Sequence, residues 1–183
     1  FLVTIIYSAR HMGVLLDGLT ALSRVGLTPL EMVPVPLQEL VQTVRAEVMA
    51  KYPLRAVEWQ IADDLPTVLA DATLLHQALT HVMGNALKFT APRALAKIDI
   101  RTVPGALEGY VALQVRDNGV GYNLAQQDRL FRVFGRLHSA KQFEGIGIGL
   151  VLTRKILARM GGYVSAEAAV DAGCRVELQL QRA

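Results

Sequence analysis

The amino-acid sequence predicts an α/β (α+β) two-layer sandwich, in which helices pack on one face of a mixed β-sheet and one more helix precedes the domain. The chain has 183 residues, of which 52% are hydrophobic and 19% are charged, enough to bury one core of ordinary size with an appendage. Apolar residues follow a helical period in some segments and alternate with polar residues in others. These segments follow one another without regular β-α-β spacing, which favours a mixed sheet.

The first 25 or so residues predict a helix of a coiled coil or a helical hairpin. Their apolar side chains recur at alternating steps of three and four, at Leu2, Ile5, Ala9, Met12, Leu16 and Leu19. Leu15 and Leu22 widen this stripe enough for a four-helix bundle, while an ordinary amphipathic helix lying on the next domain remains the alternative. Thr28-Pro29 and the two prolines at 34 and 36 predict that the helix ends there. We therefore expect a helix over 1–26, an extended linker over 27–36 and a domain over 37–183.

Within that domain the apolar spacing predicts three helices and five strands. Asp71 is a plausible N-cap for a helix over 72–89, which Pro92 ends. Its predicted core-facing stripe is Leu75, Leu79, Val82, Ala86 and Phe89. The other helices are predicted at 37–48 and about 148–160, and the strands at 57–61, 98–100, 111–115, 163–166 and 176–180.

Composition and charge exclude several classes of function. The net charge is +3 and the pI is near 9.2, but Lys and Arg are scattered singly, so we expect no nucleic-acid partner and consider an anionic ligand. Cys174 is the single cysteine, which rules out an internal disulfide and predicts a reducing, cytoplasmic location. No apolar run reaches the ~18 residues of a membrane span. Because the chain starts at Phe1 inside a predicted helix, we expect a fragment of a parent that is either soluble or membrane-anchored.

The first stretch with chemical potential lies on the 72–89 helix. His81, Asn85 and Lys88 follow one another at steps of four and three, so they share a face away from the apolar stripe. An amide oxygen and an ammonium on one face suit a hydrated Mg²⁺ bound to phosphate. A solvated polar face is the alternative.

The second stretch, Asp-Asn-Gly-Val-Gly at 117–121, directly follows a predicted strand. A carboxylate held there can accept a hydrogen bond from an exocyclic amine, and glycines at 119 and 121 allow the backbone to approach a flat ring. A tight turn is the alternative.

The third and fourth stretches, 130–138 and 145–150, suit phosphate groups. Phe131 and Phe134 are predicted to pack in the core, leaving Arg136 and His138 to pair with phosphate. The Gly-Ile-Gly-Ile-Gly-Leu sequence at 145–150 opens a helix, where exposed N–H groups and the helix dipole favour anions. A dinucleotide fold is not predicted, because no strand immediately precedes this stretch, and the Gly-Lys-Ser/Thr of a P-loop is missing.

Together and in this order, the four stretches resemble the N, G1, F and G2 boxes of the sensor histidine kinase ATP-binding domain, whose fold is shared with DNA gyrase B, Hsp90 and MutL. The resemblance covers about residues 37–181, and residues 1–26 resemble the second helix of the dimerisation and phosphoacceptor hairpin of that family. The stretch from Arg136 to Leu150 is most similar to the phytochrome-related branch.

The resemblance implies a role for each matching residue. Asn85 would coordinate Mg²⁺ and Lys88 would lie near the phosphates, as the two catalytic positions. Asp117 would read the adenine amino group. The remaining ATP-binding positions would be Gly119, Gly121, Arg136, His138, Gly145, Gly147, Gly149 and Leu150. The implied partners are ATP with Mg²⁺, a response-regulator receiver domain, the chain's own phosphoacceptor hairpin and a second copy in a homodimer.

Two departures from the family pattern affect the expected mechanism. His81 stands where the family has its first asparagine, which makes it a further candidate Mg²⁺ ligand. None of the four histidines, His11, His76, His81 and His138, has the sequence context of the phosphoacceptor, and His11 is predicted to be a surface or bundle-packing residue. We therefore expect transfer of the ATP γ-phosphoryl group to a histidine upstream of Phe1. A gyrase-type or Hsp90-type ATPase and a non-catalytic nucleotide-binding scaffold are the alternatives.

Overall fold

The structure is a computed structural model that describes residues 2–139 and 142–183, with side chains from Met12 onward within that part. Its main sheet has five strands: β2 (Val57–Ile61), β4 (Ala96–Pro104), β5 (Tyr110–Asp117), β6 (Tyr163–Ala168) and β7 (Cys174–Gln181). They lie side by side in the order β2-β4-β5-β7-β6 and carry the helices on one face. Only the β2–β4 pair is parallel, so the sheet is mixed and the predicted fold class is confirmed.

The helix α3 (Ala72–Phe89) lies at the centre of the helical layer. It begins after Asp71, whose carboxylate accepts a hydrogen bond from the backbone N–H of Leu74 at 3.0 Å, so the predicted cap and range are confirmed. The helix packs against α2 (Leu37–Ala50), the sheet and α5 (Gly149–Arg159). Because it is covered on several sides, it buries more than the predicted stripe, including Met83 and Leu87.

Phe89 differs from the other predicted stripe residues of α3. Its ring is only partly buried and contacts the rings of His138 and Phe143, at centroid distances of 5.4 and 5.0 Å. The prediction that Phe89 faces the core is wrong, because the last turn of α3 borders a cavity.

A small second sheet pairs two strands that the sequence did not reveal. The strand β1 (Val33–Pro36) lies inside the predicted linker and pairs antiparallel with β3 (Thr67–Ala70). Val35 and Val68 are buried, whereas Pro34 and Pro36 are exposed, as expected for prolines in a short edge strand. This pairing joins residues that are far apart in the chain, so no local sequence pattern predicts it.

The helix α1 (Leu2–Leu27) lies against α5. Lys155 donates a hydrogen bond to the carbonyl oxygen of Leu22 at 2.8 Å, and Arg159 donates to the carbonyl oxygens of Val25 and Thr28. Two cations of α5 thus satisfy the C-terminal carbonyl groups of α1, where the helix dipole is negative.

The predicted seam of α1 is exposed as far as its side chains are described, at Met12, Leu16 and Leu19. The side chains of Leu2, Ile5, Ala9 and His11 lie outside the described part of the structure, so the prediction for His11 stays a prediction. Over residues 2–139 and 142–183, no helix has the length and apolar character that a membrane span requires.

The connection from β5 to α5 contains only short helical turns within its described residues. A 3₁₀ turn at Leu124–Gln126 leads into α4 (Gln127–Leu130), a single turn of α-helix. The Asn123 side chain accepts a hydrogen bond from the backbone N–H of Ala125 at 3.0 Å and so caps the start of these turns. Residues 135–138 and 143–148 of this connection border a cavity.

Candidate functional site

One cavity of about 490 Å³ opens between α3, the C-terminal end of β5, the start of β7 and the segment that leads into α5. All four motif stretches contribute to it. The predicted residues that line it are His81, Asn85, Lys88, Asp117, Gly121, Arg136, His138, Gly145, Gly147, Gly149 and Leu150. Gly119 is the predicted site residue that does not line the cavity. Residues that are far apart in the chain thus meet around one space.

Asp117 ends β5 and is almost completely buried. Its Oδ1 atom accepts hydrogen bonds from the backbone N–H groups of Gly119 at 2.8 Å and Cys174 at 3.2 Å. Both contacts fall on Oδ1, so Oδ2 is available to a donor in the cavity. Burial raises the pKa of Asp117 to about 6, although the two N–H groups act in the opposite direction. At neutral pH this end of the cavity therefore holds an anionic acceptor.

Close backbone packing holds the loop that follows Asp117. Gly121 has φ of 59°, and a Cβ atom there would lie 1.9 Å from the carbonyl oxygen of Ala169. A Cβ atom on Gly173 would lie 1.9 Å from the carbonyl oxygen of Asp117. Gly119 instead faces the end of α3, where a Cβ atom would meet the carbonyl oxygen of Phe89 at 2.6 Å. Position 119 requires glycine because its backbone contacts the end of α3. This contact also explains why Gly119 does not line the cavity.

Arg93 ties this loop to the hairpin between β6 and β7, and sequence analysis missed it. Its guanidinium donates to the carbonyl oxygens of Asn118 at 2.8 Å, Gly119 at 3.0 Å and Asp171 at 3.0 Å. The acceptors come from segments that are far apart in the chain, so no local pattern could have identified this arginine. Tyr122 and Cys174 also line the base of the cavity beside Asp117 without having been predicted. Tyr122 directly follows the Asp-Asn-Gly-Val-Gly motif, which was the available signal.

The predicted polar face of α3 supplies the opposite wall. Burial, followed by the charges of Lys51 and Lys88, lowers the pKa of His81 below its usual 6.5, so this imidazole is neutral at physiological pH. Its Nε2 atom is buried and has no hydrogen-bond partner among the described residues. Burial and the neighbouring Arg136 lower the pKa of Lys88, while Glu144 acts in the opposite direction. The Lys88 ammonium lies 4.6 Å from the centre of the Phe89 ring.

The segment 131–148, which we call the lid segment, is described over 131–139 and 142–148, and its residues 135–138 and 143–148 line the remaining side of the cavity. Phe143 is buried against Phe89 and His138, and Arg136 donates a hydrogen bond to the carbonyl oxygen of Phe143 at 2.8 Å. The prediction of core packing for the phenylalanine pair is only partly right. Phe131 packs against the core, but Phe134 is 41% exposed with φ of 61°. A Cβ atom on Gly147 would lie 2.4 Å from the carbonyl oxygen of Gly135, so the two backbone segments are in close contact there.

The helix α1 also contributes to the cavity, although its sequence suggested a separate element. Val14, Asp17, Gly18 and Ala21 form part of the wall. A Cβ atom on Gly18 would lie 2.2 Å from Cδ1 of Ile148, so the lid segment is seated directly on α1. Ile148 is buried, which gives the lid segment an apolar anchor besides Phe143.

The donor set of the cavity does not resemble an all-protein metal cage. No group of three or more His, Cys, Asp or Glu side chains with metal-binding geometry occurs in residues 2–139 and 142–183. The cavity offers instead a carboxylate at one end, and an amide, an ammonium and glycine N–H groups at the other. Such an arrangement can hold an elongated ligand with an amine at one end and anionic oxygens at the other.

Comparison with known proteins gives consistent matches. The family described as histidine kinase-, DNA gyrase B-, and HSP90-like ATPase matches residues 70–183. Cyanobacterial phytochrome B of a Nostoc species is 29% identical over 188 residues, which cover 98% of this chain and 24% of that protein. The signal transduction histidine-protein kinase BarA of Escherichia coli is 31% identical over 172 residues, or 88% of this chain and 18% of BarA. The chain thus spans a quarter or less of the length of these relatives.

Solved structures have the same architecture. Full-length ShkA in complex with AMPPNP superposes with a TM-score of 0.74 at 28% identity, over 97% of this chain and 37% of ShkA. The mycobacterial sensor histidine kinase MprB has a TM-score of 0.68 at 22% identity, over 82% of this chain and 98% of that one, and supports the fold alone.

Proposed function

We propose a function from one premise: this chain belongs to the histidine kinase-, DNA gyrase B-, and HSP90-like ATPase family, as an ATP-binding catalytic domain of the sensor histidine kinase type. Within a longer protein, it transfers the γ-phosphoryl group of ATP to a histidine outside this chain. That histidine then passes the group to an aspartate of a receiver domain.

The observation that supports this proposal best is the set of charged and polar groups that line the cavity of about 490 Å³. Oδ2 of Asp117 accepts a hydrogen bond from the adenine amino group. Lys88 and the glycine N–H groups before α5 lie toward the triphosphate. Arg136 and His138 extend from the lid segment on the same side. ATP has the matching order of an amine, a ribose and three phosphates.

The chemistry needs positioning and charge neutralisation more than a base. A nitrogen of the acceptor imidazole attacks the γ-phosphorus, the bond to the β,γ-bridging oxygen breaks, and ADP leaves with the electron pair. The imidazole is its own nucleophile, so no carboxylate is required to activate water. Lys88 stabilises charge on the phosphate oxygens, and the lid segment excludes water.

The residues of the cavity are suited to a Mg²⁺ ion that binds together with the phosphates of ATP. Mg²⁺ prefers oxygen ligands and usually keeps several waters, with one or two protein ligands beside substrate phosphates. Asn85 supplies an amide oxygen, whereas neutral His81 is the weaker candidate because imidazole nitrogen suits softer metals. When bound, Mg²⁺ would neutralise phosphate charge during transfer.

The partners follow from the same proposal. Residues 1–26 act as the second helix of a dimerisation and phosphoacceptor hairpin, and 37–183 act as the catalytic domain. The exposed apolar residues of α1, Met12, Leu16 and Leu19, support pairing with the first helix of the hairpin and with a second copy in a homodimer. Residues 27–36 connect the two units, and their strand β1 belongs to the catalytic unit. We expect the domain in the cytoplasm, and no nucleic-acid partner.

Nucleotide binding measured beside autophosphorylation tests the proposal. The 183-residue chain should bind Mg-ATP but acquire no acid-labile phosphate from γ-labelled ATP, because none of its histidines has the acceptor context. The longer parent should label itself on a histidine.

Binding without labelling of the parent would favour a nucleotide-binding scaffold. Release of inorganic phosphate without a phosphorylated histidine would favour a hydrolytic ATPase, although residues 72–90 contain no carboxylate to activate water. Stoichiometric label on His11 would contradict our interpretation of α1.

A further inference from the structure

Arg93 lies where two segments meet beside Asp117, the loop 118–121 and the β6–β7 hairpin. Its side chain is 32% exposed and does not line the cavity, so any effect on a ligand there must pass through other groups. The guanidinium donates three hydrogen bonds, all to backbone carbonyl groups of these two segments. The proposed function gives this arginine no role, although its planar, rigid set of donors is suited to holding a loop in one orientation.

One of the three bonds reaches the peptide group that supports the Asp117 carboxylate. Nε of Arg93 donates to the carbonyl oxygen of Asn118 at 2.8 Å, and the N–H of the same peptide group belongs to Gly119. That N–H donates to Oδ1 of Asp117, also at 2.8 Å. Because a peptide group is planar, a bond that fixes its C=O also fixes the direction of its N–H. Arg93, the 118–119 peptide group and Asp117 thus form a continuous chain of hydrogen bonds.

The other two bonds tie this loop to the hairpin that carries the second donor to Asp117. Nη2 of Arg93 donates to the carbonyl oxygens of Gly119 and Asp171, both at 3.0 Å. Asp171 lies in the turn that leads into β7, and the first residue of β7, Cys174, donates its N–H to Oδ1 of Asp117 at 3.2 Å. Arg93 therefore bonds to both segments that supply N–H donors to the carboxylate.

We propose that Arg93 is a positioning residue for adenine recognition, which holds the Asp117 carboxylate in the orientation that accepts a hydrogen bond from the adenine amino group. This inference rests on the proposed function and deepens it. Two N–H donors on Oδ1 restrict rotation of the carboxylate, and the Arg93 bonds keep those donors in place. Lysine carries its donors on one nitrogen and cannot reproduce the fork of a guanidinium, so a positive charge alone does not replace Arg93.

The test compares two nucleotides, which separates loss of the amine contact from general loosening of the site. ATP and purine riboside triphosphate share the ribose and the phosphates, but the second lacks the amino group. We expect the unsubstituted chain to bind ATP about 10- to 150-fold more tightly, as for a hydrogen bond to a charged group. In Arg93→Gln and Arg93→Lys this ratio should fall by about 3- to 10-fold, with little change in the affinity for purine riboside triphosphate. Titration calorimetry measures both affinities.

Arg159→Gln is the matched control, because Arg159 also donates to backbone carbonyl groups, those of Val25 and Thr28, and does not line the cavity. It should leave the ratio unchanged. In the Asp117→Asn background, Arg93→Gln should lower the ratio no further, because both substitutions act on one contact. Equal weakening of both nucleotides by Arg93→Gln would overturn the inference. A ratio for Arg93→Lys equal to that of the unsubstituted chain would also overturn it, since charge would then be sufficient, and this variant serves alone if Arg93→Gln does not fold.

The same measurements distinguish failure of this inference from failure of the proposed function. If the unsubstituted chain prefers ATP and the Arg93 variants keep the full ratio, this inference fails alone. Equal affinity of the unsubstituted chain for both nucleotides would overturn it together with the role of Asp117. If the unsubstituted chain binds neither nucleotide, the proposed function fails with it.

Discussion

The two ends of the cavity are built in different ways. The end formed by Asp117 and the loop 118–121, which we call the base end, follows a central strand. This loop is held by hydrogen bonds to distant segments, including Val120 N–H to the carbonyl oxygen of Phe89 and Asp171 N–H to that of Val120. In the described part of the lid segment, 131–139 and 142–148, every backbone hydrogen bond joins residues no more than four positions apart. The long-range contacts of the lid segment are packing contacts, chiefly those of Phe143 and Ile148.

This difference suggests that the two ends of the cavity have different functions. The base end is part of the sheet and can open only if strands separate, so it suits a specificity site that must keep one geometry. The lid segment can rearrange at the cost of a few packing contacts, which suits a segment that admits nucleotide and then excludes water. Each of the following predictions tests whether the two ends differ in this way.

The largest expected difference concerns glycine substitutions. Gly121→Ala introduces a Cβ atom 1.9 Å from a backbone oxygen at positive φ, so we expect a loss of about 3 kcal/mol or more in the free energy of unfolding. In Gly145→Ala the nearest atom is Nζ of Lys88 at 3.3 Å, a flexible side-chain end, so the loss comes only from the backbone strain at φ of 136° and we expect about 1–2 kcal/mol.

Denaturant unfolding of both variants measures this contrast. Gly84→Ala is the control, because Gly84 lies within α3 with no atom near the added Cβ, and it should stabilise the chain by up to about 1 kcal/mol. Equal losses for Gly121→Ala and Gly145→Ala would remove the proposed contrast between the two ends.

Asp117→Asn should weaken ATP binding by about 10- to 150-fold, corresponding to about 1.5–3 kcal/mol for a hydrogen bond to a charged group. ATP should lose more affinity than GTP, which presents a carbonyl group where ATP presents the amine. Titration calorimetry with both nucleotides measures the change in preference. An unchanged ATP/GTP ratio would show that Asp117 does not read the base.

The same substitution should stabilise the ligand-free fold at neutral pH. The pKa of Asp117 is about 6 in the folded chain, above its ordinary value of 3.8, so ionisation of Asp117 destabilises the fold and its contribution to stability falls as the pH rises from about 4 to about 6. The introduced carboxamide keeps an oxygen for the two N–H groups without the charge. We expect a gain of about 2 kcal/mol at pH 8 that shrinks toward pH 4, measured by unfolding across that range. A gain independent of pH would indicate another cause.

Hydrogen exchange should separate the two ends directly. Without nucleotide, the amides of 142–148 should exchange faster than those of 117–121, because binding segments belong to the least stable parts of a fold. Mg-ATP should slow exchange in the lid segment by about tenfold and change the base end less. Equal exchange in 142–148 with and without nucleotide would argue against its role as a lid.

The smallest expected effect is that of His81. Protonation would place a cation beside Lys51 and Lys88, favouring bare phosphate and repelling Mg²⁺, so the dependence of ATP affinity on Mg²⁺ should weaken as the pH falls from about 8 to about 6. Because burial lowers the pKa of His81, most of this change should occur at the acid end of that range.

His81→Asn should preserve binding and flatten the pH response. Asp117 titrates near the same pH in both proteins, so its contribution cancels when the two profiles are compared at fixed Mg²⁺. Identical profiles would mean that His81 makes no contact with the metal or the phosphates.

The sequence was sufficient for features that depend on neighbours in the chain. The range of α3 and its Asp71 cap follow from apolar period and capping chemistry, which act over a few residues. The order of the four glycine and polar motifs was enough to indicate the family. Ten of the eleven ATP-binding residues expected from it line one cavity, and Gly119 does not; their roles remain predictions.

Only the tertiary structure determines the contacts between distant parts of the chain. The pairing of β1 with β3, the loop contacts of Arg93 and the contact of the lid segment with Gly18 each join segments that are separate in sequence. Gly119 faces α3 because its backbone lies against the carbonyl oxygen of Phe89, and Phe134 is exposed although it was predicted to pack in the core. Local patterns fix which residues can take part in a site. Packing determines which way these residues face, because that depends on which atoms fill the neighbouring volume.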